Sequence, residues 1–171
     1  MSLSSKTITS PVGALTLVAN ASELVAILWE NDDPRRVPLG PLRSVGDHAI
    51  LNLAQQQLDQ YFTGQRTRFE LPLASSGTRF QQAVWSALLD IPYGKTQSYG
   101  DLAAALGKPF AARAVGAANG RNPLSIIVPC HRLVGADGSL TGFAGGLEAK
   151  RYLLDLEKAH SSTRAEAQAL V

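Results

Sequence analysis

Three short apolar runs open the chain. Thr7-Ile8-Thr9 and Leu15-Thr16-Leu17-Val18 flank the turn-forming Ser10-Pro11-Val12-Gly13, and Leu24-Val25-Ala26-Ile27-Leu28-Trp29 follows a polar break over residues 20–23. Strand-length runs bounded by turn residues predict a small antiparallel sheet. Residues 31–46 carry Pro34, Pro38 and Pro41, sustain neither period, and are expected to form a loop. The pattern then changes. Ile50, Leu53, Ala54, Leu58, Tyr61 and Phe62 recur at helical spacing, with Thr63-Gly64 as the stop. Phe69-Glu70-Leu71-Pro72-Leu73 reads as a short extended piece and Ala74-Ser75-Ser76-Gly77 as a linker.

Past the linker the signal is helical. Thr78 and Gln81 form a capping-box pattern in front of Phe80, Val84, Leu88 and Ile91, which share one face, and Pro92-Tyr93-Gly94 ends the segment. Ser98 with Asp101 opens a second helix through Leu102, Ala105 and Leu106. Gly107 is placed to close it, and Pro109 suits the first turn of a third helix that runs to about Asn119-Gly120. Two short helices joined by a Gly-containing turn have the shape of a helix-turn-helix, which they share with helical hairpins that touch no DNA. A last apolar-periodic helix carries Leu147, Leu153, Leu154 and Leu156. The expected fold class is α/β, of the α+β kind. Residues 1–75 would form a sheet-and-helix domain, 76–160 a mainly helical domain with a short active-site strand, and 161–171 a polar tail.

Composition narrows the setting. A chain of 171 residues, 45% of them hydrophobic, supplies the core of one ordinary domain or two small ones. It contains no apolar run of membrane-spanning length and no charged-then-apolar leader, so a cytoplasmic protein without a membrane partner is expected. The net charge of +2 announces no nucleic-acid partner. Its distribution says more. Lys95, Lys108, Arg113, Arg121 and Arg132 face a single acid, Asp101, within one stretch. That stretch includes a helix left nearly bare by Ala111, Ala112, Ala114, Gly116, Ala117 and Ala118, with Arg113 its one long side chain. Small residues allow close approach, either to another helix or to a DNA groove into which Arg113 would reach.

The candidate chemistry lies at the end of an apolar, strand-like run. Ile126-Ile127-Val128-Pro129 stops at Cys130-His131-Arg132-Leu133, and Cys130 is the only cysteine in the chain. A lone thiol forms no internal disulfide and no thiolate metal cage, which leaves a buried structural thiol or a nucleophile. A nucleophilic thiol needs a base or a positive environment. His131 is the nearest base, but neighbouring side chains in an extended segment point to opposite faces. Either the chain turns sharply after Cys130 or a water relays the proton. Glu157, on the last helix, is a candidate to orient the imidazole.

The stretch 127–132, followed by Gly142-Phe143-Ala144-Gly145-Gly146-Leu147, closely resembles the O6-alkylguanine-DNA alkyltransferases, which move an alkyl group from DNA onto their own cysteine. The resemblance extends from about Phe80 through Ile91-Pro92-Tyr93-Gly94, Ser98-Tyr99-Gly100, Ala112-Arg113-Ala114-Val115-Gly116 and Asn119-Gly120-Arg121-Asn122-Pro123 to Glu157. The N-terminal part is similar to the family's small domain in length and pattern rather than in motif.

The resemblance implies roles position by position. Cys130 would accept the alkyl group, His131 would act as base through a water, and Glu157 would hold His131. Asn122 would tie the helix-turn-helix to the active-site strand. Tyr99 would meet the lesion base with its hydroxyl, and Arg113 would fill the gap left in the stack once the nucleotide is rotated out. Ala112, Ala114 and Gly116 would let the helix approach the minor groove. Tyr99, Cys130, Leu133, Phe143 and Ala144 would line the substrate pocket. Phe143 stands where many members carry tyrosine and Ala144 where some carry serine, so hydroxyl contacts there are absent. The expected partner is double-stranded DNA containing O6-alkylguanine, with O4-alkylthymine left open. The protein would act once per molecule and as a monomer, cooperative assembly on DNA being left open. No cofactor and no metal are expected. Two rivals remain at this stage: a cysteine hydrolase using Cys130, His131 and Glu157, and a helix-turn-helix module that binds alkylated DNA without repairing it.

Overall fold

The computed structural model describes residues 2–74 and 76–169. β1 (Leu3–Ser10) and β2 (Gly13–Ala19) form a hairpin in which Ser10 pairs with Gly13, and β3 (Leu24–Trp29) continues the sheet antiparallel to β2. The Ser10 hydroxyl fixes the turn, donating to the Gly13 carbonyl at 2.7 Å and accepting from the Val12 amide at 3.2 Å. A fourth strand was not expected. β4 (Leu42–Ser44) lies within the proline-containing stretch and pairs parallel with β1, giving the order β3-β2-β1-β4. All three of its residues are exposed, so the strand rests on backbone pairing and leaves no hydrophobic signature to read.

α1 (Ala49–Phe62) packs its buried face, Leu51, Ala54, Leu58 and Tyr61, against the sheet. The expected capping box at Thr78 and Gln81 is present at the start of α2 (Arg79–Leu89). Ser98 caps α3 (Tyr99–Ala105) by accepting the Asp101 amide, and Gly107 takes the left-handed conformation just past its end, with φ 75°. α4 (Ala112–Gly120) starts later than expected. Ala111 donates its amide back to Lys108, so Pro109 sits in a turn before the helix rather than in its first turn. Ile91 likewise lies beyond α2, though it is buried as its period implied.

α5 (Leu147–Ala169) is the last helix. It continues into the expected polar tail as far as Ala169, whereas residues 170 and 171, like Ser75 of the linker, lie outside the described residues. Leu147, read as part of the apolar face, is half exposed because it begins the helix.

The largest correction concerns the active-site run, which is not a strand. Every residue from Asn122 to Val134 is buried, but Ile126 adopts φ 77° and Cys130–Arg132 form one turn of 3-10 helix. Only Leu133–Val134 form a strand, β6, paired parallel with β5 (Gln97–Ser98), beside isolated bridges at Leu124, Ser125 and Val128. A continuous apolar run marks burial and does not distinguish a strand from a folded-back buried loop.

One core spans both halves of the chain, from Leu15, Leu17 and Ile27 through Val84 and Leu102 to Cys130, Leu133 and Leu153. The edge strand β3 touches the active-site loop directly. Ile27 donates its amide to the Pro123 carbonyl at 2.8 Å, and Leu24 exchanges backbone bonds with Pro72 and Ala74. The sheet therefore forms the wall behind the loop that carries Cys130.

Candidate active site

Asn122 shapes the loop. Its side-chain amide donates to the Val128 carbonyl at 2.9 Å, and its oxygen accepts the Leu124 amide at 3.0 Å. These bonds close residues 122–128 into a compact bend containing Ile126, a β-branched residue held in the left-handed region. Pro129 then leads into the 3-10 turn, which swings Cys130 and His131 apart along the chain.

Cys130 is 3% exposed, and burial pushes its thiol up from the ordinary value. Hydrogen bonds from Asn122 and Ser125 and the positive charges of Arg36 and Lys150 pull the other way without cancelling burial. The resting group is therefore a thiol and needs a base to become a nucleophile.

His131 and Glu157 are both fully buried, and His131 Nε2 lies 2.6 Å from Glu157 Oε2. Burial alone would raise the pKa of Glu157, but the bonds from His131 and Arg132 outweigh it and bring the carboxyl to about 2. Burial lowers the pKa of His131 despite the carboxylate beside it. An ionised carboxylate only accepts, so the neutral imidazole carries its proton on Nε2 and keeps the lone pair on Nδ1. Nδ1 is buried and has no partner among the described residues.

Arg132 departs from the solvated basic face that its place in the basic stretch suggested. It is buried, donates Nε to Glu157 Oε1 at 2.8 Å and Nη1 to the Ile91 carbonyl at 2.6 Å, and lies over the Tyr93 ring. The other four bases, Lys95, Lys108, Arg113 and Arg121, are exposed.

Above Cys130 opens a pocket of about 370 Å³. Cys130 lines it together with Tyr99, Gly116, Asn119, Phe143 and Ala144. The Tyr99 hydroxyl lies 2.8 Å from that of Thr141, so the start of α3 meets the loop before α5 at the pocket mouth. Leu133 is not in the lining. It is fully buried in β6, behind the turn. Arg113 and Ala114 are exposed on α4 and Ala112 is half-buried at its first position, so these residues share the helix whose Gly116 faces Tyr99.

Sequence reading did not single out several residues at this site. Arg36 grips Asp32 with two bonds, donates to the Asn122 carbonyl at 2.8 Å, and reaches the pocket. It belongs to a stretch without period, so no pattern marked it. Lys150 is buried and donates to the Thr141 carbonyl at 3.0 Å, holding the loop that carries Phe143 and Ala144. Tyr61 was read as core. Its signal was available in principle, because a buried phenol needs a polar partner.

The comparisons with known proteins decide the family. Residues 79–159 match the 6-O-methylguanine DNA methyltransferase DNA binding domain, and residues 4–75 match the ribonuclease-like domain of the same methyltransferase. A methylated-DNA--protein-cysteine methyltransferase of Mycobacterium tuberculosis is 49% identical over 158 residues, covering 91% of this chain and 93% of the relative. The chain belongs to the 6-O-methylguanine DNA methyltransferase family. A Methanosarcina acetivorans relative with the same name is 56% identical over 148 residues, 86% of this chain and 94% of its own length. The crystal structure of Mycobacterium tuberculosis OGT in complex with DNA is similar at a TM-score of 0.84, with 47% identity and 94% of each chain covered.

For this methyltransferase fold, the α+β expectation holds: a four-stranded mixed sheet with α1, then helices around the Cys130 turn. Among the described residues, no helix is long and apolar enough to cross a membrane, and no group of three or more His, Cys, Asp or Glu side chains is placed to hold a metal ion.

Proposed function

We propose that this chain repairs O6-alkylguanine in double-stranded DNA by irreversible transfer of the alkyl group to Cys130, each molecule reacting once. The observation that carries the reading is the buried thiol in the lining of the Tyr99 pocket, on the same 3-10 turn as His131, whose Nε2 meets Glu157 of α5.

In the step, the Cys130 thiol gives its proton to His131 through a water, and Glu157 stabilises the imidazolium that forms. The thiolate attacks the carbon attached to O6. A carbon–sulfur bond forms, the carbon–oxygen bond breaks, and its electron pair stays on guanine. The leaving base takes up a proton, delivered by the Tyr99 hydroxyl and replaced by the one the thiol released, so guanine departs neutral. The thioether has no route back to thiol, which makes repair stoichiometric. Asn122 holds the loop geometry, while Phe143 and Ala144 bound the alkyl side of the pocket.

A duplex hides its O6 atoms from a buried thiol, so the nucleotide must be rotated out. The exposed face of α4 suits this, because Ala114 and Ala117 allow close approach to the minor groove and Arg113 can occupy the vacated stack. Residues 76–160 would carry chemistry and DNA contact, with residues 1–75 supporting them from behind. The setting that fits this work is the cytoplasm, alongside DNA.

Neither a cysteine hydrolase nor a non-repairing DNA module is favoured. His131 presents its N–H to Glu157 and makes no direct bond to the thiol among the described residues, and the acceptor cysteine is in place. The deciding experiment is intact mass after incubation with methylated duplex DNA. One added methyl group per chain, mapped to the peptide containing Cys130, is expected; loss of the lesion with Cys130 unmodified would overturn the reading.

A further inference from the structure

The relay described above uses one oxygen of Glu157, and a residue from the opposite end of the chain reaches the same atom. The Tyr61 hydroxyl, carried by α1, lies 2.6 Å from Glu157 Oε2, the oxygen that His131 Nε2 also meets at 2.6 Å. Tyr61 is fully buried. Burial, with the negative charge of Glu157, holds its phenol well above the ordinary value, so it stays protonated and donates. Arg132 bridges the two oxygens, donating Nε to Oε1 at 2.8 Å and Nη2 to Oε2 at 3.1 Å, and the Gly94 amide meets Oε1 at 3.3 Å.

Three donors share Oε2, the phenol and the imidazole at 2.6 Å and Arg132 Nη2 at 3.1 Å, and they compete for its charge. Each bond the phenol makes lessens the pull that Oε2 exerts on the imidazole proton, so His131 is a weaker base than a lone Glu157 would make it. The other charged or titratable groups around the pair are Arg132 and Cys130 on the 3-10 turn, Tyr93 before β5 and Lys150 on α5. Arg132 and Lys150 are cationic and also disfavour imidazolium. Among the groups that bond to Glu157, Tyr61 alone comes from α1.

We propose that Tyr61 is a positioning residue of the relay, fixing the Glu157 carboxylate from α1 and, by sharing the oxygen that holds His131, setting the basicity of the imidazole. The inference rests on the proposed roles of His131 and Glu157. It gives the sheet-and-helix half of the chain a specific part in the chemistry beyond packing.

The test is Tyr61→Phe in the full chain, read in two ways. One is the titration of the His131 imidazole by nuclear magnetic resonance. The other is the rate of alkyl transfer from free O6-benzylguanine between about pH 5 and about pH 9. Losing the phenol should raise the His131 titration by about half a unit and move the acid limb of the rate profile with it, about threefold in rate at a pH on that limb. A purely structural role would lower the rate by one factor at every pH and leave the titration in place. Should Tyr61→Phe fail to fold, a ring-fluorinated tyrosine at position 61 keeps the shape and donates more strongly, so both readouts should move the other way. Titration unchanged in the folded variants overturns the proposal. If wild-type Cys130 takes up no alkyl group, the functional reading fails instead, and the imidazole titration still decides the role of Tyr61.

Discussion

Trp29 Nε1 donates to Ser125 Oγ at 3.1 Å, joining the last residue of β3 to the loop that delivers Cys130 across 96 positions of sequence. The same indole meets Phe143 edge-on, with ring centroids 5.3 Å apart. One side chain of the sheet thus braces the thiol loop and the Phe143 wall of the pocket together. Trp29→Phe removes the N–H and leaves the fully buried Ser125 hydroxyl without its donor. The expected cost is about 1–3 kcal/mol in urea unfolding, with slower transfer from free O6-benzylguanine. Unchanged stability and rate would show that the brace is idle.

Gly145 tests the same brace from the other side. A Cβ at this position would lie 2.5–2.6 Å from three atoms of the Trp29 ring, closer than real carbon contacts allow. The ring is pinned by Ser125 and Phe143, so the loop carrying Phe143 and Ala144 must give way. Gly145→Ala should cost about 1–3 kcal/mol and slow transfer from the free base as well as from duplex. Combined with Trp29→Phe, the two effects should not add, because they act on one contact. Strict additivity in the double variant would place the damage elsewhere.

These contacts show what the sequence could and could not reveal. Cys130, His131, Tyr99 and Asn122 could be singled out as candidates because reactive residue types stand at the end of an apolar run and within matching motifs, and the structure gathers them around one loop and pocket. α2 and α3 were legible through their caps: Thr78 with Gln81, Ser98 with Asp101, and Gly107 are local devices written in nearby residues. The apolar run leading to Cys130 was misread as a strand because a buried bend and a buried strand share one apolar signature, whereas the sharp turn at Cys130, one of the two alternatives left open, is present. Tyr61 and Trp29 act across long sequence separations, and so does Arg36 where it reaches Asn122, although its ion pair with Asp32 is local. Arg132 looked like surface charge because burial of a guanidinium depends on a carboxylate 25 residues away.

Acid should destabilise the protein in two stages. The folded Glu157 carboxyl titrates at about 2 against an ordinary 4.5, so its contribution is complete above about 4.5 and is lost as pH falls toward about 2. His131 titrates below its ordinary 6.5 in the folded state, so below that pH the unfolded chain takes up the proton first and stability begins to fall. Urea midpoints should therefore decline from neutral pH downward and more steeply below about pH 4.5. Glu157→Gln should lower stability at neutral pH by about 3–5 kcal/mol, because Arg132 is left buried without its counter-charge, and should flatten the steep acid stage. Midpoints that hold level or rise on acidification would contradict the buried, ionised carboxylate.

The proposed role of Arg113 separates work done on DNA from work done on the alkyl carbon. It is exposed on α4, away from the His131–Glu157 pair, and touches none of the groups that generate the thiolate. Rotating a nucleotide out of a duplex costs a few kcal/mol, and a side chain that occupies the gap recovers part of that cost. Arg113→Ala should therefore slow repair of methylated duplex DNA by about tenfold or more and leave reaction with free O6-benzylguanine near the wild-type rate. Because Lys95, Lys108 and Arg121 are also exposed, duplex affinity should fall linearly on a log–log plot against salt, with a shallower slope in the variant. Equal losses on the two substrates would mean that Arg113 supports the fold of the site and does not hold the duplex open.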